Sequence, residues 1–372
     1  MLCFIMRIVE VSPNYYPYFG GVETCVQEIT ERLVQKGFDV EVLTTDPSGT
    51  LPREGSINNV KIIRFKSWAP NEAYYLPYPN MLLNLYRKRA DVLHAHGIGV
   101  LTTLIAYIGH NLNTKPKFII SPYYHGKGHT TLAQMLWIPY RPLAKKILKK
   151  ADGIIVNSKA QRALIERTFN PLSKIFTIYD GIKLNKIKNA KSFDFDENSR
   201  VLLYVGRLEK YKNVHITIAC MKCLPKNYHF YIIGGGPFKS FLENLAQSLH
   251  LRSRVHFLGF QPDDVVYRWL KTAHVFAHLS AVESFGMTCI ESLAAGTPVI
   301  ANDDGFGLSE TIALFPEHIR IYRVSKEPVS KLARLTMEVA ELKPITVDVS
   351  QFSWDLIAES ISTVYKQILM DQ

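Results

Sequence analysis

Residues 275–303 read VFAHLSAVESFGMTCIESLAAGTPVIAND, and the order of patterns within them decides the fold. VFAHLS is apolar and rich in strand formers, and Met287 to Ala295 carry apolar residues at helical spacing. Gly296 and Pro298 stop that helix, and PVIAND resumes a strand. A strand, a helix and a second strand joined by short loops predict one crossover of a parallel sheet.

The same alternation continues on both sides. Upstream lie VLLYVG, HFYIIG and RVHFLG, separated by helical stretches at Val214 to Leu224, Phe238 to Leu249 and Asp263 to Thr272. A first series precedes it: RIVEVS, a helix from about Thr24 to Lys36, then DVEVLTT, VKIIRF, DVLHAH, KFIISP, GIIVNS and KIFTIY. Between the two series runs IKLNKIKNAKSFDFDENSR, polar and without sustained periodicity, as an interdomain connection is. FSWDLIAESISTVYKQIL closes the chain as a long amphipathic helix. The expected domains are residues 1–182, residues 183–350 and a closing helix over 351–372. A chain of 372 residues exceeds the size at which one core usually keeps growing, which agrees with two domains.

Composition narrows the class. Apolar residues make up 47% and charged residues 21%, as in folded soluble proteins. The net charge is +11, and residues 1–180 carry +9 of it. Such asymmetry suits nucleic acid, an anionic membrane face or a phosphorylated substrate. Five cysteines, Cys3, Cys25, Cys220, Cys223 and Cys289, fit a reducing compartment better than a disulfide framework. Cys220 and Cys223 form a lone CxxC in an apolar helical pattern and read as core and surface of one helix. MLCFIMRIVEVS has no basic region ahead of its apolar stretch and reads as a first strand, and Ile98 to Ile108 is too short to span a bilayer. A cytoplasmic protein is expected.

Open α/β sheets bind ligands beyond the carboxyl ends of their strands, so the loops there are the candidates. YFGGVET places Gly20 and Gly21 before a helix, where amides approach an anion closely; a tight turn explains the pair equally well. VLLYVGRLEKYKN follows Gly206 with Arg207 and Lys212, two cations suited to a leaving diphosphate, and offers Asn213 as a helix cap. Gly234, Gly235 and Gly236 in IIGGGPF suit either a nucleotide or a sharp chain reversal. In the opening stretch, Glu283 lies in the loop and can reach sugar hydroxyls. Ser284, Phe285, Gly286, Met287 and Thr288 form the helix start, whose amides can bind phosphate or sugar oxygens, and Glu291 can accept from ribose hydroxyls.

Two glutamates separated by seven residues around FGM, with GRLxxxKN upstream, closely resemble the retaining glycosyltransferase family 4, of GT-B architecture. YFGGVE, DVLHAHG, VNSKAQRALI, TIYDGI, GGGPFKSFLENLAQSLHLRSRVHFLGF and FSWDLIAESISTVY extend the likeness across the chain. The resemblance implies two Rossmann-like domains facing each other across a cleft, with the closing helix crossing back to the first. It implies a nucleotide diphosphate sugar, UDP- or GDP-linked, with Glu291 on the ribose, Arg207 and Lys212 on the diphosphate and Glu283 near the transferred sugar. From the first domain it implies Gly21 near the phosphate and His125, in SPYYHG, against the donor sugar. No cofactor and no metal are implied, and the acceptor is a glycan or a lipid-linked molecule. Asp180, GGGP, DDGFG and His274 depart from the family pattern at the edges of the donor site.

His94 and His96 alternate along one strand and face one side, with His125 and His129 in the next strand's loop. No carboxylate or Cys accompanies them in sequence, so no metal site is expected. RPLAKKILKK interleaves Arg141, Lys145, Lys146, Lys149 and Lys150 with Leu143, Ile147 and Leu148, as a solvated helix or as one meeting anionic membrane peripherally. No nucleic-acid motif accompanies the charge. Two rivals remain: a GT-B nucleotide-sugar epimerase, which turns over donor without acceptor, and a non-catalytic sugar-nucleotide-binding or membrane-adaptor protein, which releases no nucleotide.

Overall fold

The computed structural model describes residues 5–18, 20–68, 76–77, 79–126 and 131–371, without the side chains of residues 131–134. Cys3 and His129 lie outside the described residues. The chain splits into two compact units, Met1–Asp180 with Trp354–Gln372, and Gly181–Ser353.

The first unit holds strands β1 (Arg7–Val11), β2 (Asp39–Asp46), β3 (Glu54–Ile57), β4 (Val60–Trp68), β5 (Leu76–Pro77), β6 (Val92–His96), β7 (Lys117–Ser121), β8 (Gly153–Val156) and β9 (Lys174–Thr177). Its helices include α1 (Gly21–Gln35), α2 (Asn80–Arg87), α3 (Leu101–Leu112), α4 (Thr131–Lys150) and α5 (Lys159–Phe169). The sheet order is β3-β4-β2-β1-β6-β7-β8-β9, parallel from β4 to β9, with β3 and β5 antiparallel to β4. Strand order reverses direction between β1 and β6, which makes the loops after them the switch point of this sheet. The β3–β4 hairpin turns at Asn58 and Asn59, both at positive φ, a turn whose twist matches its strands.

The second unit repeats the plan with β10 (Arg200–Val205), β11 (Tyr228–Ile233), β12 (Val255–Gly259), β13 (Val275–His278), β14 (Val299–Ala301) and β15 (Ile319–Ile321). Its order, β12-β11-β10-β13-β14-β15, is parallel throughout and reverses between β10 and β13. Around it lie α6 (Leu184–Asn189), α7 (Val214–Cys220), α8 (Lys239–Ser248), α9 (Asp263–Thr272), α10 (Met287–Ala294), α11 (Gly307–Leu314) and α12 (Val329–Ala340). The connection read as irregular thus contains α6. Under two turns long, it buries only Leu184 and Ile187, too few to register as periodicity. Helix α7 ends on buried Cys220, so exposed Cys223 lies beyond it rather than on its surface.

The closing helix, α13 (Trp354–Met370), belongs to the first unit. Strand parity explains how. Val9 and Val11 point into a core shared with α2 to α5, whereas Ile8 joins Ile29 and Leu33 of α1 and Trp354, Ile357, Ile361, Val364, Tyr365 and Ile368 of α13 on the other face. Each fully buried side chain of this stripe contributes about 1.5–3 kcal/mol. Arg32 of α1 and Lys36, which caps its C-terminus, pair with Asp355 and Glu359 of α13 along the rim.

The same parity turns Glu10, His94 and His96 toward α13. The carboxylate that sequence alone did not place beside the histidines is therefore Glu10, delivered by the neighbouring strand. His96 Nε2 lies 2.7 Å and His94 Nδ1 3.2 Å from Glu10 Oε2, and the Tyr365 hydroxyl donates to Glu10 Oε1 at 2.8 Å. Because Tyr365 spends its proton on Glu10, the 2.6 Å contact between its oxygen and His94 Nδ1 requires His94 to donate. His94 Nε2 meets Ser121 Oγ at 2.9 Å. His96 must donate from Nε2, which leaves its buried Nδ1 as a bare acceptor without a partner among the described residues. Burial, followed by repulsion from His94, lowers His96 to about 4, so the ring stays neutral at physiological pH. Tyr365→Phe is expected to cost about 1.5–3 kcal/mol, the worth of a hydrogen bond to a charged group, as a lowered denaturant midpoint with unchanged slope. An unchanged midpoint would show that Glu10 does not depend on α13.

Candidate active site

At the switch point of the second sheet, the loops after β10 and β13 are tied backbone to backbone. The Ala281 amide donates to Tyr211 O at 2.8 Å, and the Asn213 side chain donates to Leu279 O at 2.8 Å. Asn213 is accordingly no side-chain cap of α7. It sits at φ 56° and spends its amide on the other loop. The tie brings Lys212 onto Glu283: Nζ donates to Oε1, which His278 Nε2 also approaches at 2.8 Å. Burial pushes the Glu283 carboxyl up, but His278 and Lys212 together outweigh it and hold the group well below the usual carboxylate range. Arg207 does not join this cluster. Its side chain is 69% exposed and faces Glu209 at 3.2 Å.

Gly206, Gly234 and Gly236 all take positive φ; a Cβ on Gly206 would stand 2.9 Å from the Tyr204 hydroxyl, whereas Gly234 and Gly236 leave room for backbone. A Cβ on Gly234 would stand 2.1 Å from Gly206 O, and one on Gly236 2.5 Å from Leu208 O. Gly234 and Gly236 therefore let the loops after β10 and β11 interlock. Gly235 differs, since its Cβ would meet the ring of Phe260 at 2.6 Å. Phe260 follows β12 and leaves its ring 79% exposed.

Several features shape the start of α10. Gly286 adopts φ 81°, buried Phe285 packs on Phe352 with ring centres 5.5 Å apart, and Thr311 donates to Phe285 O. Gly307 touches the same loop so closely that a Cβ there would lie 1.9 Å from Ser284 O. Asp304 accepts the Glu283 amide at 2.9 Å and those of Phe306 and Ser309 at 2.8 and 3.1 Å, fixing loop and α11 to each other. His278 on Glu283 and the bracing of the Glu283 loop by Asp304 are contacts that sequence reasoning did not place. The available signals were an acid ahead of a helix start and a polar residue ending an apolar strand. Glu291 lies in α10, and burial, then the charge of Asp263, raises its carboxyl to about 8 against the opposing pull of Lys183. Lys183 is itself paired with Asp263 at 2.7 Å.

In the first unit, Gly20 caps α1 and Gly21 begins it, in the loop after β1 at that sheet's switch point. Neither takes positive φ. A Cβ on Gly21 would meet nothing within 4 Å, so the space beyond it is open. His125 is half-buried in the loop after β7.

Residues 19–186 match Glycosyltransferase Family 4, and residues 185–319 match Glycosyl transferases group 1. A D-inositol 3-phosphate glycosyltransferase of Corynebacterium urealyticum is 30% identical over 357 residues, covering 83% of this chain and 82% of its own. The chain belongs to glycosyltransferase family 4. A GDP-mannose:cellobiosyl-diphosphopolyprenol alpha-mannosyltransferase of Komagataeibacter xylinus is 23% identical, over 98% of this chain and 94% of its own. Sucrose-phosphate synthase from Thermosynechococcus elongatus superposes with a TM-score of 0.80 at 19% identity, over 99% of this chain and 100% of that one. The shared fold is GT-B.

Within this glycosyltransferase the departures from the family pattern serve the fold. Asp180 accepts from Asn157 at 2.7 Å and from the Cys25 thiol at 3.2 Å. His274 accepts the Val201 amide at 3.1 Å, and burial, then Lys343 and Arg200, lower it to about 4. Asp304 of DDGFG is the brace already described.

Proposed function

We propose that this glycosyltransferase uses a nucleotide diphosphate sugar, retains the anomeric configuration and needs no metal. The observation that carries the reading is the Lys212–Glu283 pair at the switch point between β10 and β13, where a Rossmann-type sheet binds its ligand. Lys212 supplies positive charge where the diphosphate leaves, and Glu283 stays ionised to accept from the sugar. Arg207, exposed and mobile-length, reaches for the outer phosphate. The amides of Met287 and Thr288 face the diphosphate at the start of α10, and Glu291 takes the ribose. The bare ring of Phe260 gives a nucleobase a surface to stack on. Departure of the diphosphate and attack by the acceptor hydroxyl occur on one face of the sugar, which preserves configuration. His125→Ala tests whether the first domain takes part. Thermal shift with nucleoside diphosphates and their sugars, in EDTA, tests the donor class: stabilisation by a UDP or GDP sugar supports the reading, and dependence on added Mg²⁺ refutes its metal-free form.

A lipid-linked acceptor, as named for the Komagataeibacter relative, suits a peripheral protein on the cytoplasmic membrane face. No described helix is long and apolar enough to cross a membrane. Helix α4 corrects the basis of this reading. Ile147 and Leu148, read as the apolar face among the lysines, are fully buried in the core. The exposed apolar residues are instead Met135, Leu136 and Ile138, 65%, 46% and 73% exposed, about two to four turns ahead of exposed Lys145, Lys146, Lys149 and Lys150. Each cation near anionic lipid contributes about 1 kcal/mol. Wild type is expected to float with acidic vesicles at low salt and to be released near 0.5 M, where the Debye length is only about 4 Å. Replacing the four lysines with Gln is expected to abolish flotation and leave donor hydrolysis intact; wild-type indifference to acidic vesicles would remove the membrane reading.

A further inference from the structure

His278 ends β13 with its side chain almost fully buried, beside the rings of Tyr204 and Phe276, whose centres lie 6.3 and 5.9 Å from its own in nearly parallel planes. A carboxylate only accepts, so the 2.8 Å contact with Glu283 Oε1 requires the proton on Nε2. Nδ1 faces the hydroxyl of Thr288, in the first turn of α10, at 3.5 Å. Lys212 lands on the same carboxylate oxygen as His278. Oε1 of Glu283 is thereby occupied from two sides, while Oε2 accepts from no described side chain or amide.

We propose that His278 is a positioning residue for the transferred sugar: its Nε2–H, with Lys212, pins Glu283 Oε1 so that Oε2 is presented to a hydroxyl of the donor hexose. This deepens the transferase reading and rests on it. A carboxylate held by Lys212 alone keeps its charge but rotates about its last torsion, because an ammonium offers no fixed direction. The imidazole, almost fully buried at the end of β13, supplies the direction through its Nε2–H. Catalytic contacts lose rate steeply when displaced by about 1 Å, so the loss falls on reaction of the sugar rather than on binding of the nucleotide.

The test compares His278→Leu with His278→Gln, whose Nε2 reaches a similar point and donates. For the leucine variant, kcat/KM with the nucleotide sugar that wild type turns over is expected to fall about 10- to 100-fold, with Kd for the free nucleoside diphosphate within twofold. The glutamine variant is expected to recover most of the loss. Equal damage in both variants, or a parallel loss of nucleoside diphosphate affinity, would assign His278 to packing and overturn the proposal. A second readout needs no turnover: the side-chain carboxyl ¹³C titration of Glu283 in the ligand-free protein is expected to move up by more than one pH unit in the leucine variant. An unmoved titration overturns the role of His278, whereas a wild type that releases nucleotide from no sugar donor overturns the transferase reading and leaves the titration to decide this one.

Discussion

Lys212→Ala is expected to lower donor turnover by about 10²–10³-fold, the effect of removing one preorganised group that stabilises developing negative charge. The ammonium lies in a mostly buried pair with Glu283, and the two side chains are 13% and 17% exposed. In that setting the charge acts with little screening, unlike Arg207 at 69% exposed. The two cations, equal in sequence, therefore separate in effect: Arg207→Ala is expected to cost an order of magnitude or less. Lys212→Arg keeps the charge and is expected to hold Glu283 ionised while misplacing the donor group, so its loss lies between. Steady-state release of nucleoside diphosphate measures all three. Equal losses at Arg207 and Lys212 would contradict the distinction.

The second large effect belongs to Glu291, whose carboxyl is raised to about 8 by burial and by Asp263. Near pH 7 the free protein holds this group mostly protonated, yet accepting from both ribose hydroxyls requires the carboxylate. Nucleotide affinity is expected to rise up to tenfold per pH unit toward pH 8 and then level off, and calorimetry from pH 6 to 9 reads this directly. Glu291→Ala is expected to weaken nucleoside diphosphate binding by about 1.5–3 kcal/mol, roughly 10- to 100-fold. Stability runs the other way. A carboxyl whose folded pKa lies above its unfolded 4.5 binds more protons when folded, so stability falls as pH rises from about 4.5 through 8. Glu291→Gln removes that fall. It is expected to gain about 1–2 kcal/mol at pH 8.5, a rise of several degrees in Tm, and nothing at pH 5. A variant less stable than wild type at pH 8.5 would show that Glu291 is not held against its charge.

Much of this architecture was legible because its elements are long and regularly patterned. The apolar strands, the helix at Met287 and the stripe from Trp354 to Ile368 all appear where periodicity placed them. What escaped was short or depended on distant neighbours. The β3–β4 hairpin carried its signal in Asn58 and Asn59, and β15 spans only Ile319–Ile321. Glu10 looked like one polar residue in an apolar strand until the sheet set it beside His94 and His96, 84 and 86 positions away. Glycines were the most ambiguous. Gly234 and Gly236 serve contacts between adjacent loops, information that strand order holds and local sequence does not. The Lys212–Glu283 pair was legible as two separate residues, but not the bond joining them across 71 positions, nor His278 that shares it.

The most direct measurement is to incubate the wild-type protein in EDTA with a panel of UDP- and GDP-linked sugars, without and with glycan and lipid-linked acceptors, and to follow products by NMR. The account predicts slow release of nucleoside diphosphate from one donor alone, acceleration by its acceptor, and a product with the anomeric configuration of that donor. Inverted configuration, an absolute need for Mg²⁺ or Mn²⁺, or conversion of the donor into an epimer with no nucleoside diphosphate released would contradict it.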